Sequence, residues 1–318
     1  MGAAPTGVIG HRALPGTKWV LSALAFSLDP PAVGPPSHDD RIVTLLRRAR
    51  ARGVTTFDLA FARSPARGER LLARAFPEPD PEVSVILGRS TDSLASERST
   101  TGPTLDEGTL PEALARSLDF SRQRLGSVPV SVVEWTSNVS EEGSLAPSPV
   151  ASASGAGSES RYALALHLVP PVMELPVTAR SPELFGCDFS LLRSDPIRWF
   201  GANVHGSNAV LLARDPFAGG RLDGSRFAAS AEPGPPGVGP VDLRRLHEEF
   251  DPVLRLGFLT TGRRRTLAQA ALHFVVGWPW VISVAAPMPA PERMEEVLDF
   301  ASRPPLSAEE LAELGFVK

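Results

Sequence analysis

Eight short apolar runs, most of them separated by segments of helical periodicity, constrain this chain most. They read as strands at Trp19 to Phe26, Thr55 to Ala60, Val83 to Leu87, Val128 to Trp135, Ala163 to Val169, Cys187 to Leu192, Ala209 to Ala213 and Trp280 to Ala285. A strand apolar along its whole length belongs to a parallel sheet covered on both faces. Eight such strand–helix units predict an α/β fold closed into a (β/α)8 TIM barrel. A length of 318 residues suits one barrel, so residues 1–318 are expected to form a single domain.

The helical segments carry their own signals. Asp40 to Arg52 places Ile42, Leu45, Leu46 and Ala49 on one face, with arginines opposite and Gly53 closing the end. Gly68 to Phe76 turns Leu71, Leu72, Ala75 and Phe76 inward. Thr109 and Glu112 form a capping box ahead of a helix that ends at Gly126. Helices follow at Val241 to Phe258 and at Thr266 to Val276, the second opened by a Thr266…Gln269 capping box. Ser307…Glu310 caps a last short helix. Two stretches break the alternation. Residues 137–160 contain eight serines with Gly, Ala and Pro, and read as a flexible loop in place of most of the fourth helix. Residues 230–240 read as a Pro/Gly linker within the barrel.

Composition narrows the partners. A net charge of −4 gives no basic footprint for nucleic acid and no polybasic membrane patch. No apolar stretch approaches the ~20 residues of a membrane span. Met1 to Arg12 lacks the long apolar run of a signal peptide, so a cytoplasmic protein is expected. A single cysteine, Cys187, excludes an intramolecular disulfide and a Cys-based zinc cluster. The acidic and histidine residues are too scattered for a metal site.

Several ordered segments resemble one family. Gly53-Val54-Thr55-Thr56-Phe57-Asp58-Leu59-Ala60, followed by Gly68-Glu69-Arg70-Leu71-Leu72, is similar to the second strand and helix of the aldo-keto reductases. Trp19 to Leu24, Arg124-Leu125-Gly126, Phe189-Ser190-Leu191-Leu192, Ala213 to Gly224 and Pro291 to Val297 resemble further family segments in the same order. The resemblance implies an NADPH-dependent carbonyl reductase with an Asp, Tyr, Lys and His tetrad.

Asp58 matches the aspartate. The tyrosine position falls at Arg63, the lysine position at Arg89, and the histidine position near Glu134, Trp135 or Thr136. The chain has one tyrosine, Tyr162, and two lysines, Lys18 and Lys318, none of them placed for the tetrad. An arginine keeps the positive charge but cannot give up a proton at ordinary pH. The implied cofactor contacts are altered as well. Arg214 stands at the nicotinamide-stacking aromatic, Asp215 at the diphosphate-binding serine and Val297 at the adenine-holding asparagine, while Arg293 resembles the grip on the 2′-phosphate. NADPH therefore remains a doubtful cofactor for this chain.

If the barrel forms, Asp58, Arg63, Arg89, Glu134, Trp135, His167, Asp188, Arg214 and Asp215 meet at the C-terminal mouth, where barrel chemistry sits. Asp58 is expected to pair with Arg89 or Arg63. Glu134 is a candidate acid with a raised pKa, or else a partly solvated strand end. His167 is a candidate replacement acid–base group. Three readings stay open. One is a pseudoenzyme that binds a small molecule or a protein partner. Another is an active NADP(H) oxidoreductase with an unusual proton donor. The third is a lyase or isomerase in which Arg63, Arg89 and Arg214 clamp an anionic substrate.

Overall fold

The computed structural model describes residues 8–28, 36–90, 93–94, 110–136, 162–167, 184–203, 209–226 and 250–316. The serine-rich stretch 137–160, the linker 230–240, Thr109 and Val241 to Glu249 lie outside them.

Ten strands are described. β1 (His11–Ala13) and β2 (Val20–Ser22) form an antiparallel hairpin. Eight more close a parallel barrel: β3 (Leu24–Ser27), β4 (Thr56–Asp58), β5 (Ser84–Ser90), β6 (Val130–Thr136), β7 (Ala163–His167), β8 (Leu184–Asp188), β9 (Val210–Arg214) and β10 (Val281–Pro287). β10 pairs with both β3 and β9, which closes the ring.

Two strand boundaries differ from the sequence reading. The first apolar run divides at Ala23, whose N–H donates to the Gly10 carbonyl at 2.7 Å. Its first half serves the hairpin and only its second half the barrel. Equal hydrophobicity on both sides of the division hid it. The sixth barrel strand is Leu184–Asp188, so Phe189 to Leu192 lie past its end. The apolar character of Phe189, Leu191 and Leu192 comes from burial under neighbouring elements instead. The strand read as Ala163 to Val169 is described as Ala163–His167.

The helices pack outside. α1 (Asp39–Ala51) carries Asp39 and Asp40 in its first turn and Arg48 and Arg50 in its last, each matched to the helix dipole. α2 (Pro65–Ala75) starts with Pro in its first turn. α3 (Leu110–Leu125) and α4 (Asp195–Asn203) follow. α5 (Leu267–Val276) has the expected capping box: Gln269 N–H donates to Thr266 Oγ1 at 3.2 Å and Thr266 N–H to Gln269 Oε1 at 2.9 Å. α6 (Met294–Leu298) and α7 (Ala308–Glu313) complete the set, the last with its Ser307…Glu310 capping box.

Two apolar layers result. The larger one lies between strands and helices and includes Phe57, Leu72, Leu87, Val133 and Phe274. A smaller one fills the lower barrel interior: Ile86, Val132, Ala165, Leu184, Leu212 and Ile282, plugged from below by Leu14 and Leu21 of the hairpin. Successive side chains alternate across a strand. The interior positions two residues further up are therefore Gly88, Glu134, His167, Gly186 and Arg214, and these form the floor of the mouth.

Candidate functional site

A cavity of about 550 Å³ opens above that floor, lined by Ser27, Leu28, Asp58, Phe61, Ala62, His167, Asp188, Arg214, Asp215, Ala285, Pro287 and Met288. Its base is a closed charge cluster. Arg214 Nη1 donates to Asp58 Oδ2 at 2.7 Å and Nη2 to Asp58 Oδ1 at 3.1 Å. The same guanidinium donates through Nε to Glu134 Oε1 at 3.1 Å and through Nη2 to Glu134 Oε2. Asp58 also accepts from Ser27 Oγ at 2.7 Å and from the Ala60 N–H at 3.1 Å. The side chains of Asp58, Glu134 and Arg214 are 2%, 0% and 7% exposed, so the cluster is a buried network and not a surface ion pair.

His167 extends it. Its Nδ1 lies 2.8 Å from Glu134 Oε1, and its side chain is 10% exposed. Burial by itself would raise the Glu134 pKa. The Arg214 charge and the hydrogen bonds from His167 and Arg214 outweigh it and hold Glu134 down to about 2. Burial opposes the charge on Arg214 too, but Asp58 and Glu134 raise its pKa still further above the ordinary value. Phe61 lies over Arg214, with the guanidinium carbon 4.7 Å from the ring centroid. The Phe61 and His167 rings meet edge to face at 4.7 Å.

The backbone is built for this cluster. A Cβ on Gly186 would come within 2.0 Å of Glu134 Oε1. Only glycine lets β8 pass so close to the Glu134–His167 pair. Gly88 on β5 passes the chain after β4 as tightly: a Cβ there would lie 1.9 Å from the Ala60 carbonyl oxygen.

The sequence-derived candidates divide. Asp58, Glu134, His167 and Arg214 meet. Arg89 does not join them. The pleat makes Gly88 the inward residue of β5, and Arg89 points outward to α3. There its Nε donates to Ser117 Oγ at 2.7 Å and its Nη2 to Ser121 Oγ at 2.5 Å. The partner of Asp58 is accordingly Arg214, across the barrel, and the expected pairing with Arg89 or Arg63 is overturned. Glu134 is neither a carboxylate of raised pKa nor a solvated strand end. Trp135 faces the outer core. The arginine clamp is undone as well, since Arg89 points away and Arg214 is spent on two carboxylates.

Around the rim, Asp188 accepts from Arg193 Nη1 at 2.5 Å. Asp215 adopts a left-handed backbone at φ 46°, and its Oδ1 accepts from the Gly219 N–H at 2.8 Å. Burial raises the Asp215 pKa, the Gly219 N–H opposing. Arg293 donates through Nε to Glu296 Oε2 at 3.0 Å and through Nη1 to the Asp223 carbonyl. It thus brackets α6 against the loop after β9. Phe61 and Gly186 were missed in the sequence. Phe61 follows the matched Asp58 by three residues, and Gly186 sits two before Asp188 on an inward parity. Only the strand register gives either position meaning.

Among the described residues, no group of three or more His, Cys, Asp or Glu side chains is arranged to hold a metal ion, and no helix is long and apolar enough to cross a membrane. Cys187 is free and buried, and burial pushes its thiol pKa up.

No protein-family model matches the chain, and no curated protein matches its sequence. Solved structures do. An aldo-keto reductase of Bacillus halodurans in its holo form matches with a TM-score of 0.69 at 17% identity, over 96% of this chain and 95% of that one. A glycerol dehydrogenase of Gluconobacter oxydans matches at TM-score 0.66 and 16% identity, over 96% of this chain and 94% of its own. An aldo/keto reductase of Klebsiella pneumoniae in complex with NADP and acetate matches at TM-score 0.64 and 16% identity, over 93% and 90%. Such identities speak to fold alone, and the closed eight-stranded parallel barrel in this chain has the fold of the aldo-keto reductases.

Proposed function

We propose that this protein binds a small molecule in the barrel mouth and has lost NADPH-dependent carbonyl reduction. The observation that carries the reading is the closed Asp58–Arg214–Glu134 cluster. In the family resemblance, the tetrad aspartate activates a tyrosine through a lysine. Here Asp58 is saturated by Arg214, Ser27 and the Ala60 N–H, and no proton donor stands beside it among the described residues.

The residues present do not fit a nicotinamide dinucleotide. Arg214 offers no flat ring for nicotinamide, and Phe61 covers its guanidinium. Asp215 would set a carboxylate against the diphosphate, a repulsion that no neighbouring cation relieves in a partly buried site. Arg293 is neutralised by Glu296 and tied to the Asp223 carbonyl, so a 2′-phosphate would have to displace both.

One observation favours the second reading, an oxidoreductase with an unusual proton donor. His167 lines the cavity and keeps a ring nitrogen that Glu134 does not use. Glu134 itself is unsuited to the role, because it is fully buried and ionised.

Calorimetric titration with NADPH and NADH tests the proposal, together with an assay of NADPH consumption on small aldehydes. No saturable binding at millimolar cofactor and no turnover are expected. Turnover that disappears in His167→Phe would replace this reading with the second.

A further inference from the structure

The cavity makes a specific demand on whatever fills it, and this inference deepens the binding reading above. Glu134 is an ionised carboxylate, so it can only accept hydrogen bonds. Its contact with His167 at 2.8 Å therefore places the ring proton on Nδ1. A neutral imidazole with Nδ1 protonated carries its lone pair on Nε2. Among the described residues nothing bonds that nitrogen, and the ring lines the cavity. A nine-tenths-buried acceptor facing an enclosed space calls for a donor from a ligand.

The surroundings define the rest of that ligand. Phe61 is half exposed and stands edge to face with His167, so an aromatic surface adjoins the unspent nitrogen. Leu28, Ala62, Ala285, Pro287 and Met288 supply apolar walls. The charges disfavour an anion. Arg214 is outnumbered by Asp58 and Glu134 at the floor, and Asp188 and Asp215 add two more carboxylates at the rim, with Arg193 engaged by Asp188.

We infer that the cavity takes a flat, uncharged aromatic or heteroaromatic molecule bearing a weakly acidic O–H or N–H, which donates to His167 Nε2 while its ring packs against Phe61. Glu134 acts as the positioning residue that selects the imidazole tautomer, much as a carboxylate orients the histidine of a hydrolase triad.

Phenol, anisole, benzoate and benzylamine test the assignment, each titrated calorimetrically into the full chain near neutral pH. Phenol is expected to bind about tenfold more tightly than anisole, the worth of one hydrogen bond to a buried acceptor. Benzoate should bind more weakly than either. His167→Phe should remove the phenol-over-anisole preference, and Phe61→Ala, at an exposed position, should weaken both ligands.

A second measurement needs no substitution. Histidine nitrogen NMR of the unliganded protein should show His167 protonated at Nδ1, with the Nε2 signal moving on phenol addition. Equal binding of phenol and anisole, an Nε2-protonated tautomer, or tighter binding of benzylamine that His167→Phe leaves unchanged would overturn the inference. The last result would assign recognition to Asp188 and Asp215. None of these results bears on the NADPH titration, so the loss of reductase chemistry stands or falls separately.

Discussion

The lower and upper halves of the barrel interior are built from the same strands yet held together by opposite means. Below, Ile86, Val132, Leu184, Leu212 and Ile282 pack against the hairpin residues Leu14 and Leu21. Two residues higher on β6 and β9, Glu134 and Arg214 replace apolar side chains, and Asp58 joins them from β4. The lower layer gains from removing apolar area from water, and it is indifferent to pH and to the identity of its partners. The upper layer is stable only as a complete set, because each buried charge is desolvated and depends on the others. A mouth closed in this way has little freedom to rearrange around a reacting carbonyl. What remains open to a ligand is the wall above it, where His167 and Phe61 stand.

The largest expected effect comes from breaking the upper set. Arg214→Ala leaves Asp58 and Glu134 buried without their cation, and urea unfolding should show a loss of about 3–5 kcal/mol. A loss below about 1 kcal/mol would mean that water enters the mouth freely and that the two halves are not distinct.

Leu212→Ala, one inward position lower on the same strand, should cost about 3 kcal/mol as a cavity in an apolar layer. Its cost should be the same at neutral and mildly acidic pH. A cost that varied with pH would tie the lower layer to the charges above it and blur the comparison.

The smallest effect is the acid response of the upper layer. The Glu134 pKa is held down to about 2, below its ordinary 4.5. A depressed carboxylate contributes stability that is present above the unfolded value and is lost as pH falls toward the folded one. Between neutral pH and about pH 3, this group should account for about 2 kcal/mol of lost stability. Glu134→Gln should flatten the stability–pH curve in that window. An unchanged curve would show that Glu134 is not the group responsible.

Much of the barrel was legible beforehand. Continuous apolar runs separated by capped helices implied a parallel sheet buried on both faces, and the capping boxes at Thr266 and Ser307 appear as expected. Hydropathy could not divide Val20–Ser22 from Leu24–Ser27, since both halves are buried and differ only in their partners. Of the site, Asp58, Glu134, His167 and Arg214 were visible as strand-end residues of the right chemistry. Their connections were not. Arg89 seemed the natural partner for Asp58, because a charge-conserving replacement at an aligned position looks equivalent in one dimension. A shift of one residue along a strand moves a side chain to the opposite face. That single step sends Arg89 to Ser117 and Ser121 and leaves Gly88 facing inward.

The sequence by itself determined the barrel, the absence of the tyrosine and lysine that the resemblance implies, and the inventory of charges at the mouth. Those follow from residue type and periodicity, which are local properties of the chain. Tertiary structure alone decided that Arg214 answers Asp58 across 156 residues, that Glu134 is spent holding Arg214 and His167, and that Gly186 clears the space for them. Closing the sheet sets which strands face one another, and the strength of a buried charge depends on what lies opposite it.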